Sequence, residues 1–333
     1  MLAPVSKDAL TRLQAAHGDA LSLGHLVEAG LDLLPHPGAG QTLARWQRLA
    51  AVAAHDLSLV KFFEGHTDAL AILAELKGPT PEPGTRWGTW CAEPPDARVQ
   101  LLAQPDGRLL LEGTKTWCSG AASVTHAVVS GWDETGQPGL AAVALDQPGV
   151  TVTDEGWLAV GMARSGSVNV RFERAEATRI GGPGSYTSRP GFWQGGAGIA
   201  ACWYGGAAGI AQQTRSLAGA QPDAHRLAHL GAIDVALAGA AAVLRESAAW
   251  IDAHPAQDAS AVALRARLVV EQAAQHVMQH AGRALGAGPL CRNARFATAM
   301  ADLPVFLRQS HAERDLAALG ERARNLEVAP WTL

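Results

Sequence analysis

Trp117 and Ser119 stand two residues apart in the stretch LLLEGTKTWCSGAAS, residues 109–123, where a β-rich run gives way to small residues. A Trp, a small hydroxyl residue and a Gly at the tip of a strand suit one side of a flat aromatic cofactor with a polar edge. The indole covers its face, and the Ser119 hydroxyl reaches its heteroatoms. A flavin is the natural candidate. The plain alternative is a buried strand Trp beside a turn.

Other reactive residue types point to less. His225 with His229, and His276 with His280, each present two nitrogens to one side of a helix, but no third protein ligand is in view, so no metal is expected. Cys91, Cys118, Cys202 and Cys291 lie far apart with no CxxC pair, which indicates neither a zinc site nor a disulfide framework; reduced thiols are expected. There is no P-loop, HExxH or GxSxG motif, and the GGAG at Gly195 follows no strand.

The elements that must position these residues fall into three parts. From Ser6 to about Leu76, apolar residues recur at helical spacing, as in LVEAGLDLL and TLARWQRLAAVAAH, until KGPTPEPG breaks the pattern. From Thr85 to Glu176, the segments VQLLA, RLLLEGTKTW, THAVVSGW, GLAAVAL, GVTVT and VNVRFERA read as strands separated by PDG, ETGQPG and DQPG turns, hence a compact antiparallel β domain. After GGPGS the chain is Ala-rich helix, broken near Gln221, at His254 to Ala259 and at Gly286 to Pro289. The expected domains are 1–82, a shortened helical domain; 83–180, a β-barrel domain; and 181–333, a helical bundle. Helices, then strands, then helices is not the alternation of a doubly wound nucleotide fold.

Composition narrows the partners. Of the 333 residues, 48 % are apolar and only 17 % charged, against roughly 25 % in soluble domains generally. Much surface is therefore expected to be buried between subunits, as a homodimer or homotetramer. The net charge of −4 and scattered Lys and Arg give no basic stripe for nucleic acid. MLAPVSKDALTRL shows no leader, so a cytoplasmic protein is expected. Gly191 to Ile210 is uncharged and of bilayer length, but its Gly and Ala gain little from leaving water; it reads as a closely packed soluble helix, with no membrane partner.

Three motifs in this order resemble the acyl-CoA dehydrogenase superfamily over essentially the whole chain: TWCAEP at Thr89 to Pro94, KTWCSGA at Lys115 to Ala121, and GMARSGSVNVRFERAEA at Gly161 to Ala177. The resemblance implies a mainly α fold with a central β domain: an N-terminal helical domain, a middle antiparallel β domain and a C-terminal four-helix bundle. It places FAD between the last two. Cys91 and Ala92 would offer backbone donors to the flavin ring, Trp117 would stack on it and Ser119 would hydrogen-bond it. QHAGRALG, with Gln279, Gly282 and Gly286, looks like the helix end that meets the adenosine part of a neighbouring subunit's FAD. Read on residues alone, it is equally a plain C-cap and loop.

Departures from the family shape the functional expectation. PPDARVQ replaces the glycine-serine-aspartate turn that helps hold a thioester, and the arginine and phenylalanine-glycine pair that hold FAD pyrophosphate are not evident in SLAGAQPDAHRLAHLG. After Asp302, where dehydrogenases carry the glutamate that takes the α-proton, this chain reads PVFLRQSHAERDL. His311 is the first acid–base candidate there, with Glu313 an alternative; Arg308, His311 and Asp315, at i, i+3 and i+7, are expected on one helical face. His66, interrupting an apolar helix, is the second histidine candidate. The leading expectation is an FAD-dependent oxidoreductase that desaturates an acyl thioester or related substrate and passes electrons to a flavoprotein acceptor. The alternatives are a two-component flavin monooxygenase of the same fold, fed by a flavin reductase and with histidines on both sides of its pocket, or a degenerate member without chemistry.

Overall fold

The computed structural model describes residues 7–94, 97–326 and 331. The start of the segment read for a leader, and Pro95 and Asp96 of PPDARVQ, lie outside the described residues. The described elements are helices α1 (Lys7–His17), α2 (Leu23–Glu28), α3 (Thr42–His55) and α4 (Leu57–Glu75), then strands β1 (Trp87–Trp90), β2 (Val99–Ala103), β3 (Leu109–Cys118), β4 (His126–Asp133), β5 (Pro138–Ala144), β6 (Val150–Val152) and β7 (Val168–Ile180). Helices α5 (Ser185–Ser188), α6 (Gly191–Gly196), α7 (Gly198–Leu217), α8 (Ala224–Ala253), α9 (Ser260–Leu285), α10 (Ala287–Arg292), α11 (Ala294–Phe306) and α12 (Glu313–Asn325) follow.

These elements form two compact units. The first comprises Met1–Leu34, Ser58–Ala159 and Ala163–Phe192. Its strands pair β4–β2–β3–β7–β5, and β5 pairs again with β4, so the ladder closes on itself; β1 adds to β4 and β6 to β7. Closure leaves no open edge in the ring. Most pairings are antiparallel, but β1 and β2 both run parallel to β4. Gly131 and Gly139 permit the tight ring, since a Cβ there would stand 2.7 Å from the Val99 carbonyl oxygen and 2.8 Å from Leu101. One core cluster of this unit joins Ala69, Ile72 and Leu73 of α4 to Trp87, Val128, Leu140, Ala142 and Ile180 of the strands. Each large side chain buried there is worth about 1.5–3 kcal/mol.

The second unit comprises Pro35–Leu57, Val160–Met162 and Trp193–Leu333. Its centre is α7, whose glycines let the backbone of α3 approach: a Cβ on Gly205 would sit 2.2 Å from the Ala50 oxygen, and one on Gly209 2.7 Å from that of Ala54. The N-terminus of α3 has no cap from its own residue Gln41. Asp252 of α8 supplies it instead, accepting from the Thr42 amide at 3.0 Å and the Thr42 hydroxyl at 2.6 Å. Gly191 to Ile210, weighed above as a membrane span, is α6 and the buried first half of α7. Among the described residues, the helix long and apolar enough to cross a membrane by length and composition is α8.

Candidate functional site

After an earlier register shift between Leu111 and Glu112, the β3–β7 ladder runs regularly from Glu112 opposite Glu173 to Lys115 opposite Val170 and resumes at Cys118 opposite Val168. Two residues on β3 thus face one on β7, a bulge that re-aims a side chain. Trp117 is that residue. It carries φ +56, a left-handed conformation that a bulky side chain rarely adopts, and it is 52 % exposed. A strained, outward-facing indole is an observation that points to a ligand.

Polar groups stand next to it. The Ser119 amide donates to the Trp117 carbonyl at 2.9 Å, and the Ser119 carbonyl accepts from the buried Trp90 indole at 3.2 Å. The Ser119 and Ser167 hydroxyls are 2.8 Å apart, and Ser167 and Ser165 2.9 Å apart, so three hydroxyls form a chain that ends inside the unit. Ser165 and Ser167 are buried, at 1 % and 4 % exposure. Gly120, at φ +71, has no room for a Cβ, which would meet the Phe62 ring at 2.7 Å. Sequence reasoning missed Ser165 and Ser167 although it singled out their segment. Their signal is small polar residues just before the closing strand, which only the β3–β7 register sets against Ser119.

The loop after β1 brings Cys91 to the same unit. Its thiol bonds Tyr186, and burial pushes it up to about 11 despite the opposing pull of the Lys115 ammonium. The Tyr186 hydroxyl is likewise raised, chiefly by burial. The Cys91 side chain is therefore turned inward, which leaves only backbone for the role the resemblance implies for Cys91 and Ala92. Two residues further along this loop, Glu93 meets Lys115 at 2.5 Å.

His66 is 1 % exposed, and both its nitrogens are engaged. Nδ1 accepts from the Trp87 amide at 3.0 Å, so the ring proton sits on Nε2 and is donated to Asp32 at 3.2 Å. Thr89 adds a hydroxyl bond to the Gly65 carbonyl at 2.7 Å. This is a histidine that fastens β1 to α4.

The remaining expected residues lie in the second unit. Leu307–Gln309 is a turn of 3-10 helix, Ser310 is extended and buried, Ala312 has φ +45, and α12 begins only at Glu313. The expectation of Arg308, His311 and Asp315 on one helical face is corrected by this break. Arg308 pairs with Glu271 of α9 at 2.6 Å, and Arg267 of α9 donates to the Gln309 carbonyl at 2.8 Å. His311 does meet Asp315, Nδ1 to Oδ1 at 3.3 Å, with its amide 3.1 Å from Oδ2. Glu313 is exposed on the first turn of α12. Gln279 and Gly286 are exposed, Gly282 is half-buried, and Gly286 caps α9 at φ +66 with its amide on the Gly282 carbonyl. The two histidine pairs meet through His229 and His280, Nδ1 to Nδ1 at 2.9 Å, and burial lowers His280 first. Among the described residues no group of three or more metal-ligating side chains forms.

No protein-family model matches the chain, and no curated protein sequence matches it. Solved structures do. The dibenzothiophene monooxygenase TdsC from Paenibacillus sp. A11-2 superposes with a TM-score of 0.83 at 18 % identity, covering 97 % of this chain and 98 % of its own. The chain has the acyl-CoA dehydrogenase-like fold. Methanesulfinate monooxygenase MsuC from Pseudomonas fluorescens is similar at TM-score 0.75 and 20 % identity, covering 96 % of this chain and 94 % of its own. The nitrososynthase from Micromonospora carbonacea var. africana is similar at 0.78 and 18 %, covering 96 % and 95 %. TdsC has been solved with FMN, and with FMN and indole together.

Proposed function

We propose that the chain is a flavin-dependent monooxygenase of the two-component kind, taking reduced flavin from a separate reductase and oxidising a small organic molecule. The observation that carries this over the dehydrogenase reading is the segment after α11. There the pair His311–Asp315 stands on the stretch where the resemblance puts a proton-abstracting glutamate. Two of the similar structures are monooxygenases by name, which agrees in kind.

The residues on the barrel fit a flavin ring. Trp117 supplies an exposed aromatic face, the Ser119 hydroxyl a donor backed by Ser167, and the Cys91–Ala92 backbone a second edge. FMN is put ahead of the FAD that the resemblance implies, being the flavin bound by the similar TdsC, and α9 ends at Gly286 in an ordinary C-cap with its amide on the Gly282 carbonyl, Gln279 lying exposed in the helix before it. When bound, a flavin supplies two-electron transfer and activation of oxygen. The chain's own part is to orient the ring through Trp117 and Ser119 and to manage protons. His311, with Nδ1 held by Asp315, takes or gives a proton at Nε2. His66, with both nitrogens committed, serves by holding β1 and the loop that follows it.

A second reading, desaturation of an acyl thioester, keeps Glu313 as its base, since a carboxylate opens α12 two residues from His311. Anaerobic mixing of the flavin-loaded protein with a series of acyl-CoA thioesters separates the two. The monooxygenase reading expects no bleaching of the flavin band, and oxygen consumption only when NADH and a flavin reductase are added. Bleaching by a thioester alone overturns it in favour of the dehydrogenase. Failure to retain or rebind any flavin favours the degenerate member.

A further inference from the structure

Lys115 is a cation with almost no access to water: its side chain is 1 % exposed, against 29 % for its partner Glu93. Its ammonium donates to Glu93 Oε1 at 2.5 Å, to the Ser130 carbonyl at 2.9 Å and to the Ser130 hydroxyl at 2.8 Å. The Ser130 hydroxyl also bonds Glu93 Oε1, and the Trp132 indole donates to Oε2 at 2.9 Å. Every proton of the ammonium is thereby used, and both carboxylate oxygens are held.

A buried ion pair is a poor way to gain stability, because desolvation offsets most of the attraction. Its value lies in geometry, since only one arrangement satisfies all five bonds. Here the arrangement ties three pieces of chain. Glu93 belongs to the loop that carries Cys91 and Ala92; Lys115 is the last regular residue of β3 before the bulge that turns Trp117 outward; Ser130 and Trp132 anchor both to β4.

We infer that Lys115 and Glu93 form a latch that sets the loop 91–94 against the Trp117 bulge, so that the two edges of the flavin site are held in register by one buried pair. Both are positioning residues: neither is assigned contact with the flavin. The inference rests on the flavin reading for its purpose but not for its structural content.

Two measurements test it separately. Amide hydrogen exchange on the flavin-free protein is compared for wild type, Lys115→Met, Glu93→Gln and the double variant Lys115→Met/Glu93→Gln, which leaves no unpaired buried charge. The latch predicts that the peptide covering residues 89–94 exchanges faster by at least roughly tenfold in all three variants. The β3–β7 ladder should stay protected in the double variant. FMN titration then follows, and displacement of a site edge by a fraction of an ångström should weaken binding by on the order of tenfold to a hundredfold. Affinity should stay weak in the double variant even where its melting temperature recovers. Wild-type exchange at 89–94 in the double variant overturns the latch, as does recovery of FMN affinity in step with stability. If wild type binds no flavin, the functional reading fails while the exchange data still decide the latch.

Discussion

Cys91 and Trp117 carry different consequences although both lie in the first unit. The fold favours the neutral Cys91 thiol, whose ordinary value of 9.0 is raised to about 11. Its contribution to stability is full below pH 9, where folded and unfolded chains both hold the proton, and drains between pH 9 and about 11 as the unfolded chain loses it first. Melting temperature measured from pH 8 to 11 should fall less steeply for Cys91→Ala than for wild type; parallel curves would refute the assignment. Thiol labelling at pH 8 should modify Cys291, which is exposed, well before Cys91, Cys118 and Cys202. At His311 the expectation concerns rate: His311→Ala should lose roughly a hundredfold or more in turnover with flavin affinity unchanged. Glu313→Gln abolishing turnover while His311→Ala has no effect would reverse the roles. The pairing of Trp117 with Ser119 was legible in the sequence, because residue type and strand context suffice to suggest a flat ligand. The left-handed backbone at Trp117 was not, for it arises from a register slip against β7, some fifty residues away.

At the scale of elements, local patterning told most about strands joined by tight turns. VQLLA and THAVVSGW are β2 and β4 within a residue, because PDG and ETGQPG turns fix antiparallel neighbours, whereas VNVRFERA is only the first part of β7, which runs on to Ile180. WGTW, which is β1, has no alternation of its own and depends on parallel pairing with β4, a non-local contact that no window of sequence displays. The helix assumed through Arg308 to Asp315 failed for a related reason: Arg267 and Glu271 of α9 hold Arg308 and Gln309, and the chain must break at Ser310 to obey them. The glycine-rich α7 offers a direct check on packing. Gly205→Ala places a methyl against the α3 backbone and should cost about 1–3 kcal/mol in a thermal or urea melt, whereas Gly231→Ala on α8, with nothing within 4 Å, should be neutral or slightly stabilising.

At the scale of the whole molecule, α8 is, among the described residues, a long apolar helix that leaves much of its surface exposed. Leu227 and Val235 of α8 are 53 % and 74 % exposed. The close helix contact that the small residues of Gly191 to Ile210 permit is met inside its own unit, by α3 against α7, and we expect α8 to be the helix that packs between copies. Light scattering should give a dimer or tetramer at micromolar concentration, and Val235→Glu should shift it toward monomer. Capture of the wild-type protein by lipid vesicles without self-association would instead mark α8 as a membrane surface. The sequence texture that separates helices from strands did not reveal that α3 groups with the later helices, because the Gly205 and Gly209 contacts that unite them span some 150 residues. The central proposal is that this fold presents Trp117 to a flavin ring. Titration of oxidised and reduced FMN, and of FAD, into the purified protein and into Trp117→Ala tests it most directly. Saturable binding of at least one flavin is expected, weakened roughly fivefold or more by loss of the indole stack; equal affinity in the two proteins, or no saturable binding of any flavin, would contradict the proposal.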